Sequence, residues 1–158
     1  MRFKLGYVFA GVLLAAPAFA AAKPSPFIGT WVLNVAKSKY TGAPAPQSST
    51  AVYSEAGAGI HVVATGKNAQ GADTHVEYTA NFDGKDYPVT GSPDYDTVSL
   101  KLVKGIRITF TRKKGGVVVQ TGSMQVSKDG ATRTVTTSGK NAAGQTIHSI
   151  AVYERKKL

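Results

Sequence analysis

Apolar residues return at every second position through most of this chain, and that period leaves few folds open. Ile60/Val62/Ala64, Val76/Tyr78/Ala80/Phe82, Val98/Leu100/Leu102 and Ile106/Ile108/Phe110 each form one side of the pattern, with His75/Glu77/Thr79/Asn81 or Arg107/Thr109/Thr111 on the other. Side chains alternate across a strand, so these stretches are half-buried strands. Turn-forming clusters separate them at Gly57-Ala-Gly59, Asn68-Ala-Gln-Gly71, Asp83-Gly84, Lys104-Gly105, Gly115-Gly116, Asp129-Gly130 and Asn141-Ala-Ala-Gly144. Residues of these types tolerate the positive φ of tight hairpins, and connections this short force neighbouring strands to run antiparallel. The reading gives about ten strands, no helical stretch, and one longer Pro-rich loop at Thr41-Gly-Ala-Pro-Ala-Pro46. A meander of that size must hide its edges, and closing on itself hides both. The expectation is an all-β, antiparallel up-and-down barrel of about 8–10 strands.

The first twenty residues do not belong to that pattern. Met1-Arg-Phe-Lys4 is a short basic start, Leu5 to Ala16 carries no charge, and Ala18-Phe-Ala20 offers small residues where a signal peptidase reads. Residues 1–20 are therefore read as a cleaved export signal, too short to span a bilayer, which takes roughly 20 apolar residues. The remainder, 21–158, suits a single domain in the periplasm or outside the cell. It contains no cysteine, so the fold depends on its core, and thiolate catalysis and thiolate metal sites are excluded. Basic residues outnumber acidic ones, 19 to 9 over the full sequence. Such a surplus draws anionic partners or simply solubilises the surface. Its densest cluster, Arg112-Lys-Lys114, is placed at a hairpin tip beside Gly115-Gly116. No aromatic residues interleave with those cations as a single-strand binder requires, so nucleic acid is not expected as a partner. An anionic membrane surface stays open.

An internal repeat sets the strand faces. Residues 54–75 match 127–148 without gaps at an offset of 73, with identities at Ser54/Ser127, Val62/Val135 and throughout the turn Gly-Lys-Asn-Ala-x-Gly. If Val76, Tyr78, Ala80 and Phe82 point inward, then Ser149, Ala151, Tyr153 and Arg155 do too. Ile60 and Val62 likewise place Arg133 and Val135 inside, whereas His75 and His148 turn outward.

Phe27-Ile-Gly-Thr-Trp-Val-Leu33 resembles the opening strand of the calycins, the lipocalins and fatty-acid-binding proteins, in which a Gly-x-Trp motif plugs one end of a barrel. Val152-Tyr-Glu-Arg155 resembles the closing strand of the fatty-acid-binding proteins. The resemblance implies a lipocalin-like barrel that holds a small ligand inside, with Tyr153 facing inward. The closing strand of that family reads Arg-x-Tyr around a ligand carboxylate, and here the Arg position is Ala151. The helical lid of the family has no room before the prolines.

The functional expectation is a small, mostly apolar or amphipathic ligand, able to carry a negative charge, bound by Tyr78, Arg133, Tyr153, Phe82 and Phe110. Arg133 inside needs a negative partner, from the protein or from a ligand, because an unpaired buried charge is costly. Trp31 is read as barrel floor. His75 with Glu77 makes half of a metal site at most, and Asp83, Asp86, Asp94 and Asp96 are read as turn residues. No cofactor, metal or catalytic residue is expected, and an enzymatic role would rest on fold analogy alone. The rival reading is a barrel filled by its own side chains, acting through its basic surface.

Overall fold

The computed structural model describes residues 25–157, so the proposed export signal lies outside the described residues. The strands are β1 (Gly29–Leu33), β2 (Lys39–Thr41), β3 (Ser48–Ala56), β4 (Gly59–Lys67), β5 (Asp73–Asn81) and β6 (Tyr87–Thr90), followed by β7 (Thr97–Val103), β8 (Arg107–Lys114), β9 (Val117–Val126), β10 (Thr132–Lys140) and β11 (Thr146–Arg155). From β3 to β11 each strand pairs antiparallel with the next. β1 then joins β3 on one side and β11 on the other, so ten strands close an up-and-down barrel. The eleventh, β2, is three residues long and takes the part of the β11 edge that β1 leaves uncovered, pairing at His148–Ile150 where β1 pairs at Tyr153–Arg155. A one-turn 3-10 helix, Val35–Lys37, joins β1 to β2 and is the single departure from an all-strand reading among the described residues.

The repeat coincides with the strands. β4 and β10 span equivalent residues at the offset of 73, and β5 and β11 begin at equivalent residues. The two turns are built alike, with Asn68 and Asn141 side chains accepting backbone N–H groups and Gly71 and Gly144 at positive φ. Ile60 and its counterpart Arg133 are both almost wholly enclosed, at 0% and 1% exposure. Two side chains of opposite character thus occupy equivalent interior positions.

One end of the barrel is closed by the residues of the Gly-x-Trp stretch. Trp31 is fully enclosed and its indole Nε1 donates to the Phe27 carbonyl at 2.8 Å. Arg155, opposite Trp31 in register, lies over the indole at 4.2 Å and donates from Nε to Gly130 O, from Nη1 to Ile28 O and from Nη2 to Pro26 O. The glycine of the motif follows from this. Gly29 sits at φ +131, and a Cβ there would stand 2.6 Å from Arg155 Nη1. Ile60, Leu100, Ile108 and Val126 fill the space above this floor.

Candidate functional site

Toward the other end, the interior changes character along the wall made by β9, β10 and β11. Arg133 stands beside Val126 and Tyr153, then Val135 beside Met124 and Ala151, then Thr137 beside Gly122 and Ser149, and last Gly139 beside Gln120 and Ile147. The wall therefore runs from a buried cation through an apolar band to hydroxyls and an amide at the mouth. A cavity of about 530 Å³ opens there, lined by Thr137, Ser149, Gln120, Arg112, Tyr95 and Val76 among others. The loop after β6 reaches across the mouth, where Asp94 Oδ1 accepts the Ala142 N–H of the β10–β11 turn at 2.7 Å.

Arg112 dominates this mouth. Its guanidinium lies 4.5 Å from the ring centres of both Tyr95 and Phe110 and donates to Gln120 Oε1 at 3.0 Å, while Gln120 donates to Lys140 O. Phe110 can lie there because its cross-strand neighbour is Gly122, where a Cβ would come within 2.5 Å of the ring. The assignment of Arg112 to a surface cluster at the hairpin tip is thus corrected: only Lys113 and Lys114 stay outside. A β-bulge between Arg112 and Lys113 marks the change. It sets Val118 opposite the outward Lys113, which explains why Val118 is exposed despite its apolar side chain; Val117, opposite Lys114, is exposed because it lies next to the hairpin tip.

Of the five residues expected to meet a ligand, four lie along this interior. Tyr78 and Phe110 are buried, Tyr153 is partly buried against the core, and Arg133 is enclosed between the rings of Tyr53 at 4.3 Å and Tyr153 at 4.5 Å, with Trp31 at 5.3 Å. Phe82 follows the end of β5 remote from the mouth and packs against the core there. The reading from sequence missed Arg112, Gln120 and Tyr95. Arg112 shares the parity of Ile108 and Phe110, a signal that was available. Gln120 lies beyond the bulge and Tyr95 in a loop, where no period holds.

Burial pushes the Tyr78 phenol well above its usual 10, helped by Tyr53 and Tyr95 and opposed by Arg112 and Arg133, so its hydroxyl lies within electrostatic reach of both guanidiniums. Burial, with Tyr153 nearby, pushes Tyr40 up to about 12. For both groups the folded state holds its proton more tightly than the unfolded chain. Their stabilising contribution is complete below pH 10 and is lost as pH rises through the folded values. Stability should therefore fall between about pH 10 and 12, and Tyr40→Phe should flatten part of that fall. Urea midpoints measured at pH 9, 10.5 and 11.5 check this; an unchanged slope in the variant contradicts it.

Outside the barrel, His61 and His75 approach opposite oxygens of Glu77 at 3.5 and 3.2 Å. His61 thus supplies a third group beside the His75–Glu77 pair, but the two imidazoles flank the carboxylate, and no metal-holding cluster of His, Asp or Glu forms among the described residues. Of the four aspartates read as turn residues, Asp83 makes a local turn contact by accepting the Lys85 N–H, whereas the others brace separate segments: Asp94 accepts the Ala142 N–H, Asp96 accepts the Gly115 N–H, and Asp86 pairs with Lys113.

No protein-family model matches the chain, and no curated protein matches it. Among solved structures it is similar to zebrafish ileal bile acid-binding protein complexed with cholic acid, at a TM-score of 0.49 and 10% identity, over 84% of this chain and 100% of that one. The fold is calycin-like. That rests on the closed ten-strand meander and its Trp31 floor, not on a likeness at this level.

Proposed function

We propose that this protein is exported and binds a small amphipathic molecule, taken in through the mouth beside Arg112. The observation that carries this reading is the mouth cavity itself: a half-buried guanidinium stacked on Tyr95 and Phe110, hydroxyls at Thr137 and Ser149, and an apolar band behind them. A concave, mostly apolar space with a few convergent polar groups is the usual form of a small-molecule site. None of the five ion pairs among the described residues includes an arginine, so Arg112 is available to a negative group. The floor half is filled by the protein's own side chains, which confines the ligand's apolar part to the mouth half.

Titration with an anionic fluorescent amphiphile such as anilinonaphthalene sulfonate tests this. Saturable one-to-one binding is expected, with affinity reduced tenfold or more by Thr137→Trp, which fills the mouth. Equal binding by the variant would move the site elsewhere. Salt-sensitive adhesion to anionic vesicles with no saturable binding would favour a filled barrel acting through its surface.

A further inference from the structure

We infer that Arg133 is the seat of a carboxylate-class anion held deep in the barrel, an assignment that extends the ligand-binding reading above. A guanidinium keeps its charge at any ordinary pH, and removing it from water is costly unless its donors are paired. Trp31, Tyr53 and Tyr153 offset part of that cost through their ring faces. Ring faces do not satisfy N–H groups directed in the guanidinium plane, however, and Nε and Nη1 of Arg133 are enclosed with no hydrogen-bond partner. No acid is at hand: apart from tyrosine hydroxyls, Gln120 and Thr137 are the other buried polar side chains among the described residues.

The repeat makes the choice of arginine pointed. At the equivalent position of the first half the chain uses Ile60, equally enclosed, so an apolar residue suffices where only filling is needed. A cation in its place, with two donors unused, fits a negative group that completes the site. The same carboxylate chemistry has two sources: the head of an amphipathic ligand entering from the mouth, or a free small carboxylate. Because both nitrogens are closed off from solvent, the covering tyrosine rings shift to admit either one.

Thermal unfolding at constant ionic strength with decanoate, decanol and acetate separates the cases, using the wild type, Arg133→Met and, as a control, Arg107→Met. Arg133→Ile, which copies Ile60, is a second variant should the methionine form fold poorly. Decanoate is expected to stabilise the wild type more than decanol, and the Arg133 variants should lose that preference, with decanoate Kd weakened about tenfold or more while decanol is unaffected. Arg107→Met, at an exposed arginine on the outer face of β8, should retain the preference. Stabilisation by acetate that disappears without Arg133 identifies a free anion as the occupant; if neither amphiphile then acts, the amphiphile reading fails and the anion seat stands. Stabilisation by decanol equal to that by decanoate, with acetate inert, overturns the seat and leaves the ligand reading intact. A carboxylate preference undiminished in the Arg133 variants, or no stabilisation by any carboxylate, also overturns it.

Discussion

Trp31→Ala is expected to lower the unfolding free energy by about 3–5 kcal/mol, the range for emptying a large aromatic site in a close-packed core. The size of the loss follows from where the indole sits. It is fully enclosed, its N–H is satisfied by Phe27 O, and guanidiniums lie on it from Arg155 at 4.2 Å and Arg133 at 5.3 Å. Removing it opens the floor beneath Arg133 and takes one ring from a cation that already has unpartnered donors. Equilibrium urea unfolding followed by circular dichroism measures the change, and a loss below about 1 kcal/mol would show that the floor does not hold the barrel as described.

Arg155→Ala is the second large effect, expected at about 2–4 kcal/mol because several charge-assisted hydrogen bonds and a stacking contact go together. Three carbonyls from separate segments, Pro26, Ile28 and Gly130, converge on one guanidinium. The side chain therefore ties the chain before β1 to the β9–β10 turn across the closing seam. Lysine should restore less than half of the loss, because an ammonium on a flexible stem cannot fork to three acceptors while lying flat on an indole. Hydrogen exchange at Ile28, whose amide donates to Ser25 O, should accelerate in the alanine variant more than exchange in β4. Uniform acceleration across both would mean that Arg155 acts on the whole barrel and not as a local tie.

Much of the fold was legible because barrel strands obey a rule that a sequence displays directly. Tyr78 and Ala80 fall on the buried face as their period requires. The repeat carried Arg133 to the inside through Ile60, although arginine by itself suggests a surface. Leu102 shows the limit: it continues the parity of Val98 and Leu100 but lies at the β7–β8 end and is 48% exposed, since period two identifies a face and not where the core stops. β2 was not legible, because three residues after a 3-10 turn are too few to show a period. At the mouth the failures have different causes. Arg112 kept the correct parity but was grouped with its lysine neighbours by charge, whereas Gln120 and Tyr95 are placed by a bulge and a loop whose geometry no alternation encodes.

Native mass spectrometry of the protein, purified gently from the compartment where it accumulates and then denatured to release whatever is bound, tests the central claim most directly. The account predicts a one-to-one adduct of a small amphipathic molecule, carrying a negative group, that survives in wild type and is lost in Thr137→Trp. A bare polypeptide mass in the wild type, joined by no stabilisation with any amphiphile, would contradict it and leave a filled barrel with a basic exterior.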